Sequence, residues 1–331
     1  MGQDTSGVSI AITNTNSFGY AIPEHMERLE KLGPVRRVSV PGDCRGRELA
    51  EAVGDANIII TSGTPQFDRE FFECKPEMKL VARDGLGFNN VDVEAARERG
   101  CFVTKVEKSV EREAVAECAV CEMIDLIRKI WLGIRAVDSN RWLDRGQFVG
   151  FELRNRTVGI VGCGNIGSRV AEILHHGFGA RVIANDPVAD EAWAQKNGVE
   201  YVDLDTLVAE SDVITLHATL NPTSFHLVDE KFLAGIKPGT YLVNTARGDI
   251  LDQSAVVDAL TSGRLAGLAI DATSVEPPAS DDPFLNNPRV LITPHIGAYT
   301  VEALGGMGDI CVTNAELVAR GERPEHIVWE E

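Results

Sequence analysis

The sequence predicts an α/β protein made of two doubly wound parallel-sheet domains. The chain has 331 residues, which is enough for about two domains of ordinary size. Short β-branched runs alternate with amphipathic helical stretches along its whole length, and glycines or polar residues stand where those runs end. With 44% hydrophobic and 25% charged residues, the composition is that of a folded globular protein.

The first series of alternating elements covers about the first 110 residues. Helical stretches at residues 24–32 and 45–53 carry apolar residues three and four positions apart, the spacing of helices that cover a sheet. Because strands and helices alternate, we expect a parallel sheet. Its five predicted strands are residues 8–13, 35–40, 57–61, 78–82 and 101–106.

A long apolar-periodic stretch at residues 111–135 predicts one helix that bridges two domains. A second parallel sheet should follow it. A last helix at residues 301–320 leads into a tail, residues 321–329, which we expect to return to the first domain because it has no strand partner nearby. The second sheet should contain six strands, at residues 157–161, 181–185, 213–217, 241–244, 265–270 and 290–293.

The charge balance limits the partners of the protein. The chain has 32 Lys and Arg against 50 Asp and Glu, a net charge of −18, which repels nucleic acids and anionic membranes. A site for a small anion must therefore carry its own fixed cation. No apolar run approaches the length of a membrane span, and the start lacks a basic-then-apolar leader, so we expect no membrane association. Met1-Gly2 with Ser6 matches the myristoylation pattern, but a frayed start is favoured.

The seven cysteines form an odd, scattered set, which favours reduced thiols and a cytoplasmic protein over a disulfide framework. Cys118 and Cys121 have CxxC spacing but lie in a helical pattern with no second pair and no nearby His. We therefore expect two core thiols and no metal site.

A glycine-rich turn predicts the cofactor. The strand at residues 157–161 runs into Gly162-Cys163-Gly164-Asn165-Ile166-Gly167 and then a helix, the context in which a GxGxxG motif binds a dinucleotide pyrophosphate. Asp186 ends the next strand, and no Arg follows in residues 187–189. A carboxylate there accepts hydrogen bonds from the ribose hydroxyls of NAD and repels the 2′-phosphate of NADP. We predict NAD.

Ligands of open parallel sheets bind beyond the carboxyl ends of the strands, where Thr219, Arg247, Asp271 and His295 stand. Hydride transfer to a carbonyl carbon requires a proton for the oxygen, and histidine is a suitable general acid. Glu276 is the candidate partner that keeps the imidazole protonated. Arg247 supplies the fixed cation for a carboxylate. Each residue alone has an ordinary structural explanation; their convergence predicts a catalytic site.

Taken in order, the motifs resemble the signatures of the D-isomer-specific 2-hydroxyacid dehydrogenases. The resemblance rests on the glycine loop with Asp186, on residues 244–248, 271–277 and 293–297, and on two stretches outside the cofactor motif, residues 83–92 and 114–117. It implies two Rossmann-like domains: a flavodoxin-like substrate domain, residues 1–110 and 299–331, and an inserted NAD-binding domain, residues 111–298. It also implies a homodimer.

The resemblance further implies that Arg247 binds the substrate carboxylate, that His295 is the acid/base and that Glu276 is its partner. Backbone amides of Leu86 and Gly87 should hold the other side of the carboxylate. The residues expected to contact substrate are Arg83, Gly85, Leu86, Gly87 and Tyr299, although an outward salt bridge is favoured for Arg83. The residues expected to contact NAD are Gly162, Gly164, Asn165, Ile166, Gly167, Asp186, Thr219, Ala246, Asp271 and Gly297.

The sequence thus predicts the reversible reduction of a small 2-keto acid to a D-2-hydroxy acid. Residues 60–63 contain no arginine, which disfavours 3-phosphoglycerate. Phe18, Tyr20 and Tyr299 could line a pocket for a longer side chain or could equally pack in a core. Two alternatives stay open: a formate or phosphite dehydrogenase on the same scaffold, and an NAD(H)-sensing protein that resembles the corepressors of this family.

Overall fold

The computed structural model describes residues 7–330, which form two compact units. Unit 1 contains the described residues up to Glu111 together with those from Tyr299 onward, and unit 2 runs from Arg112 to Ala298. The expected boundaries, 110/111 and 298/299, lie within one residue of these divisions. The possible myristoylation pattern at Met1-Gly2 lies outside the described residues.

Unit 1 contains a five-stranded parallel sheet with the order β2-β1-β3-β4-β5, which is the flavodoxin-like order. Every predicted strand is present and slightly shorter than expected. The strands are β1 (Ile10–Thr13), β2 (Val35–Val38), β3 (Ile58–Thr61), β4 (Leu80–Arg83) and β5 (Phe102–Thr104). The helices that follow the first four strands are α1 (Glu24–Glu30), α2 (Gly46–Val53), α3 (Arg69–Cys74) and α4 (Val93–Glu98).

Strands β1, β3 and β4 of unit 1 are buried on both faces, so their successive residues face two different cores. Ile10 and Ile12 belong to one core, whereas Ala11 between them belongs to the other. The chain's last helix, Val301–Ala319, contributes Val312 to the first of these cores. The tail then pairs with β5, where the Val328 amide donates to the Val103 carbonyl at 3.1 Å. The expected return of the tail to this unit is therefore observed.

Unit 2 contains a seven-stranded parallel sheet with the order β12-β11-β10-β9-β6-β7-β8. The order reverses between β6 and β9, which places a crevice at the carboxyl ends of these two strands. One edge strand, β8, was not predicted, because three residues are too few to show a β pattern. The strands are β6 (Thr157–Val161), β7 (Arg181–Asn185), β8 (Val199–Tyr201), β9 (Val213–Leu216), β10 (Thr240–Asn244), β11 (Leu265–Ile270) and β12 (Val290–Ile292).

The expected single helix at residues 111–135 is wrong, because the chain forms two helices there. Lys129 separates them with a left-handed backbone (φ +54°), and the Asp125 carboxylate accepts a hydrogen bond from the Trp131 amide at 2.7 Å. Apolar periodicity continues across this break, so the sequence pattern does not reveal it. The two helices are α5 (Lys108–Arg128) and α6 (Ile130–Asp138), and the later ones are α7 (Asn165–Glu172), α8 (Glu191–Asn197), α9 (Leu204–Glu210), α10 (Glu230–Gly235), α11 (Gln253–Ser262) and α12 (Val301–Ala319).

The expectation of two core thiols at the CxxC pair is also wrong. Cys118 is half-buried and Cys121 is exposed, because α5 turns one residue of the pair toward solvent. Residues 7–330 contain no group of three or more His, Cys, Asp or Glu side chains that could hold a metal ion. Within the same residues, no helix is long and apolar enough to cross a membrane.

Candidate active site

The glycine loop after β6 is shaped by close backbone contacts. Gly162 has φ +87°, and a Cβ there would lie 2.6 Å from the Ala218 amide nitrogen after β9. A Cβ on Gly167 would lie 2.0 Å from the Gly162 carbonyl oxygen. A Cβ on Gly164 would meet no described atom within 4 Å, so this side of the loop is accessible to a pyrophosphate. The loop therefore fits a dinucleotide at the N-terminus of α7.

Asp186 lies beside this loop. Its carboxylate accepts hydrogen bonds from the backbone amides of Cys163 and Val188, each at 2.8 Å. These contacts fix a negative charge next to the turn, where the ribose of a dinucleotide would meet it. Cys163 itself is buried, and burial raises the pKa of its thiol to about 11, which agrees with a small packing residue.

Arg247 follows β10 in a turn that Asn244 holds. The fully buried Asn244 side chain donates to the Arg247 carbonyl at 2.9 Å and accepts from the Ala246 amide at 3.0 Å. Gly248 is required next, because a Cβ there would lie 2.2 Å from the Ser274 amide nitrogen. Arg247 is partly exposed, and its guanidinium has no carboxylate partner among residues 7–330. A fixed cation is therefore available to an anionic ligand.

His295 and Glu276 form the predicted pair. The Nδ1 atom of His295 lies 2.9 Å from both Glu276 carboxylate oxygens, and the two side chains are 43% and 32% exposed. Because an ionised carboxylate only accepts hydrogen bonds, Nδ1 carries a proton and donates it to Glu276. The Nε2 atom is left to exchange a proton with a ligand.

Asp271 anchors the turn that carries His295. The turn has a left-handed backbone at His295 (φ +54°), a conformation that a non-glycine residue keeps only when its surroundings enforce it. The Asp271 carbonyl accepts from the His295 amide at 2.9 Å, and its carboxylate accepts from the Ile296 and Gly297 amides, each at 2.8 Å. The Thr293 hydroxyl lies 2.6 Å from the same carboxylate.

Asp271 was predicted only as a contact of the cofactor, and this internal role was missed. The sequence also gave no sign of Asn244 or Thr293 as positioning residues. The sequence feature that could have indicated them is a polar residue at the end of each buried strand. Gly248, the residue after Arg247, lies against the Thr273-Ser274 peptide, two residues before Glu276.

The other predicted contacts of NAD lie in unit 2, Asn165 and Ile166 at the start of α7 and Thr219 after β9. The Thr219 carbonyl accepts a hydrogen bond from the Ser224 hydroxyl at 2.7 Å, and the Asn165 carbonyl accepts from the Arg112 guanidinium at 3.0 Å. Ile166 packs partly buried against the unit 2 core. Contact of these residues with the cofactor stays a prediction.

In unit 1, the expected outward salt bridge of Arg83 is wrong. Arg83 is 3% exposed, and its guanidinium donates to the carbonyls of Thr61 at 2.7 Å, Gly87 at 2.6 Å and Ser62. It therefore holds the glycine-rich loop to the end of β3. The next residue, Asp84, accepts from the Thr15 hydroxyl at 3.0 Å, and burial raises its pKa to about 6.

The rest of the loop also forms internal contacts in this structure. The Leu86 amide, predicted to hold a substrate carboxylate, donates to a Glu111 carboxylate oxygen at 3.1 Å. Gly85 has a positive φ of +151°, so a side chain there would be strained. Its own role and that of Gly87 toward substrate stay predictions.

Pocket lining and core packing were left open for three aromatic residues, and Phe18 takes the second alternative, because it is buried in a core of unit 1. Tyr20 is 87% exposed. Tyr299 is half-exposed and accepts a hydrogen bond from the Ser17 hydroxyl at 3.1 Å.

Comparison with known proteins agrees with this geometry. A family model described as D-isomer specific 2-hydroxyacid dehydrogenase, NAD binding domain, matches residues 120–297. Glyoxylate reductase of Thermococcus litoralis is 33% identical over 93% of this chain and 94% of its own length. The chain belongs to the D-isomer specific 2-hydroxyacid dehydrogenase family.

Two further relatives define the extent of the likeness. D-3-phosphoglycerate dehydrogenase of Methanocaldococcus jannaschii is 34% identical over 92% of this dehydrogenase, which spans 58% of that protein's length. The apo-structure of D-lactate dehydrogenase from Escherichia coli is 30% identical and superposes with a TM-score of 0.82, covering 97% of this chain and 100% of that one.

These findings confirm the predicted fold class, family and cofactor. The dehydrogenase is an NAD-dependent oxidoreductase that acts on the CH–OH group of D-2-hydroxy acids. They lend no support to a sensor protein or to a formate or phosphite dehydrogenase.

Proposed function

We propose that this dehydrogenase reduces a small 2-keto acid with His295 as general acid and Arg247 as the anchor of the substrate carboxylate. The observation that carries the proposal is the position of Nδ1 of His295, 2.9 Å from both oxygens of Glu276. This contact fixes the ring and leaves Nε2 for the substrate. The residues that would hold NAD are the glycine loop and Asp186. When bound, NADH supplies the hydride for the carbonyl carbon.

The His295–Glu276 pair supplies the proton that the carbonyl oxygen needs. In the reducing direction, the Nε2–H of the imidazolium donates its proton to the carbonyl oxygen, and the Nε2–H bond breaks as the O–H bond forms. Glu276 keeps its hydrogen bond to Nδ1 throughout and stabilises the imidazolium before the transfer. In the oxidising direction, neutral Nε2 accepts the hydroxyl proton of the 2-hydroxy acid.

Arg247 supports binding of the anionic substrate to an acidic protein. Its planar guanidinium donates two parallel hydrogen bonds to a carboxylate and keeps its charge at any working pH. Backbone amides at Leu86 and Gly87 and the side chain of Tyr299 are further proposed contacts. For Leu86 this requires the amide to exchange Glu111 for substrate.

The proposed substrates are small. One relative is named for glyoxylate and one for lactate. We favour glyoxylate, pyruvate or hydroxypyruvate over 3-phosphoglycerate, since residues 60–63 provide no arginine for a phosphate. A panel of these 2-keto acids with NADH and NADPH, followed by absorbance of the reduced cofactor, would rank them.

The decisive variant is His295→Ala. We expect kcat for the preferred 2-keto acid to fall about 10³-fold, the usual range for loss of a general acid, while the Kd for NADH is unchanged. His176→Ala is the matched control, because His176 is an exposed histidine of the same unit. Retained turnover in His295→Ala would remove His295 from the mechanism.

We further propose a cytoplasmic homodimer. The surface of α6 and the 3-10 helix after it, Trp142–Phe148, exposes Ile134, Trp142 and Leu143 by 57%, 65% and 89%. An exposed apolar patch of this kind is typical of a contact between protein chains, and a second copy of this chain is the proposed occupant. Light scattering should give a dimer mass that Leu143→Glu reduces to that of a monomer.

A further inference from the structure

Glu122 is a buried acid that the proposed reaction does not use directly. It lies in the middle of α5, is 4% exposed and has no Lys or Arg partner among residues 7–330. One carboxyl oxygen, Oε1, lies 2.6 Å from the Thr293 hydroxyl and 3.9 Å from the Cys118 thiol. The other, Oε2, is buried without a hydrogen-bond partner. A charged carboxylate with these surroundings would be costly.

Counting hydrogens around Thr293 gives the protonation state of Glu122. The Thr293 hydroxyl oxygen lies 2.6 Å from Glu122 Oε1 and 2.6 Å from Asp271 Oδ1. A hydroxyl has one hydrogen, so it donates to one of these oxygens and accepts from the other. Two ionised carboxylates would leave one short contact with no proton in it. One of the two acids must therefore be neutral.

The contacts of the two acids differ in a way that identifies the neutral one. Asp271 already accepts hydrogen bonds from the amides of Ile296 and Gly297, which favour its charged form. Glu122 has only the weak Cys118 thiol as a donor besides the hydroxyl. The proton therefore belongs to Glu122, whose O–H donates to Thr293, which in turn donates to Asp271.

Resting on the proposed function, we propose that protonated Glu122 is a positioning residue for His295, acting through Thr293 and Asp271. Asp271 supports the left-handed turn at His295 through three backbone amides, those of His295, Ile296 and Gly297. With Glu122 ionised, two anions compete for one hydroxyl hydrogen. Asp271 then loses a donor and faces a second negative charge, which weakens the turn.

The electrostatic surroundings of Glu122 place its titration in an accessible range. Burial is the largest cause and raises its pKa to about 8, and the charges of Asp271 and Asp125 act in the same direction. Hydrogen bonds that Thr293 and Cys118 can donate to the ionised carboxylate act in the opposite direction. The groups that face Glu122 are thus Cys118 and Asp125 on α5, and Asp271 and Thr293 after β11 and β12. Glu122 should be neutral below about pH 8 and ionised above it.

The first test follows kcat against pH in the oxidising direction, with NAD and the preferred 2-hydroxy acid. In this direction His295 acts as the base, so loss of a proton from its imidazole cannot cause an alkaline fall in rate. The wild type should lose kcat as pH rises through about 8 and level off at about a tenth of its neutral value, the loss expected when the connection between the two acids is broken. Glu122→Gln should retain the wild-type rate at neutral pH and lack this alkaline loss, since an amide donates to Thr293 at every pH.

Glu117→Gln is the matched control, because Glu117 is an exposed glutamate on the same helix. It should keep the alkaline loss of the wild type. Thr293→Val should lower kcat about tenfold at neutral pH by removing the connection between the two acids, and Thr293→Ser should restore it. An unchanged alkaline loss in Glu122→Gln, or full activity in Thr293→Val, would overturn the proposal.

The second test needs no turnover, so it separates a failure of this proposal from a failure of the proposed function. A buried neutral carboxyl gives an infrared carbonyl band distinct from that of carboxylates. At pH 7 this band should be present in the wild type and in Glu117→Gln, and absent in Glu122→Gln. Its absence from the wild type would show Glu122 ionised and would reject the proposal, whatever substrate the enzyme uses.

Discussion

Two arginines stand at the carboxyl ends of strands, one in each sheet, and have opposite surroundings. Arg83 is the last residue of β4 in unit 1, and Arg247 comes three residues after β10 in unit 2. Arg83 is buried and donates to the carbonyls of Thr61, Ser62 and Gly87. Arg247 is partly exposed, and the one described hydrogen bond of its guanidinium is to the carbonyl of Ala246, at 2.7 Å.

The difference shows what a strand-end position determines. In a parallel sheet, a position at the carboxyl end of a strand places an arginine at the edge of the sheet where ligands bind. Whether the cation serves a ligand or the fold depends on the local supply of acceptors. The Thr61 and Ser62 carbonyls at the end of β3 and the Gly87 carbonyl in the loop after β4 all accept from Arg83. In unit 2, Asn244 bonds to the backbone of the turn that carries Arg247, and the guanidinium stays available.

The largest expected effect is that of Arg247→Ala. We expect kcat/KM for the 2-keto acid to fall about 10³-fold, because a charge-assisted pair with the substrate carboxylate is worth about 4 kcal/mol. The urea midpoint of unfolding should stay close to that of the wild type. A fall in stability without a fall in kcat/KM would make Arg247 a structural residue like Arg83.

Arg83→Met should have the opposite profile. Three carbonyls would lose their donor and Asp84 would lose a nearby cation, so the free energy of unfolding should fall by about 3 kcal/mol. The Kd for NADH should be unchanged, because the glycine loop and Asp186 belong to unit 2. Urea unfolding and NADH fluorescence measure the two quantities, with Arg247→Met as the control. An undiminished stability would contradict the structural role of Arg83.

Asn244→Ala sharpens the comparison by releasing the turn that presents Arg247. Loss of its two hydrogen bonds should cost about 2 kcal/mol of transition-state binding, or about thirtyfold in kcat/KM. Asn57→Ala is the matched control, since Asn57 is a buried asparagine of unit 1 whose amide also bonds to backbone. It should lower stability and leave kcat/KM unchanged. If both variants had the same kcat/KM, Asn244 would not be needed to position Arg247 for the substrate.

Asp186→Ala tests the carboxylate beside the glycine loop of unit 2, and its effect should be the smallest of those expected here. Removing the charge that repels a 2′-phosphate should reduce the preference for NADH over NADPH about tenfold, which corresponds to about 1.4 kcal/mol. Asp190→Ala is the control, because Asp190 is an exposed aspartate that caps α8. Initial rates with both cofactors measure the ratio. A wild-type preference for NADPH would already refute this role of Asp186.

Most of the fold was predictable because it depends on local patterns. Alternating β-branched runs and amphipathic stretches predicted eleven of the twelve observed strands, and the glycine loop was placed between the correct strand and helix. The misses have physical reasons. β8 is too short for a pattern, and the break at Lys129 depends on a single backbone torsion and a side-chain cap.

The residues proposed for the chemistry could be predicted from the sequence, whereas the residues that position them could not. Hydride chemistry with a carboxylate substrate requires an acid and a cation, so His295, Glu276 and Arg247 could be chosen from their positions after strands. The supporting residues are ordinary polar side chains. Thr293 and Glu122 gain their roles from a contact over 171 positions of sequence, which no local pattern contains. The contacts of Asn244 span two and three positions, but they depend on the backbone torsions of the turn and not on a residue pattern.

The sequence by itself determined the order of elements, the cofactor and the residue types that the chemistry needs, because each of these follows from local spacing and composition. Tertiary structure alone decided which polar groups are satisfied internally. It buried Arg83 among carbonyls, joined Asp271 to the His295 turn and placed Glu122 against Thr293. Hydrogen bonds depend on distance in space, and only the folded chain fixes those distances.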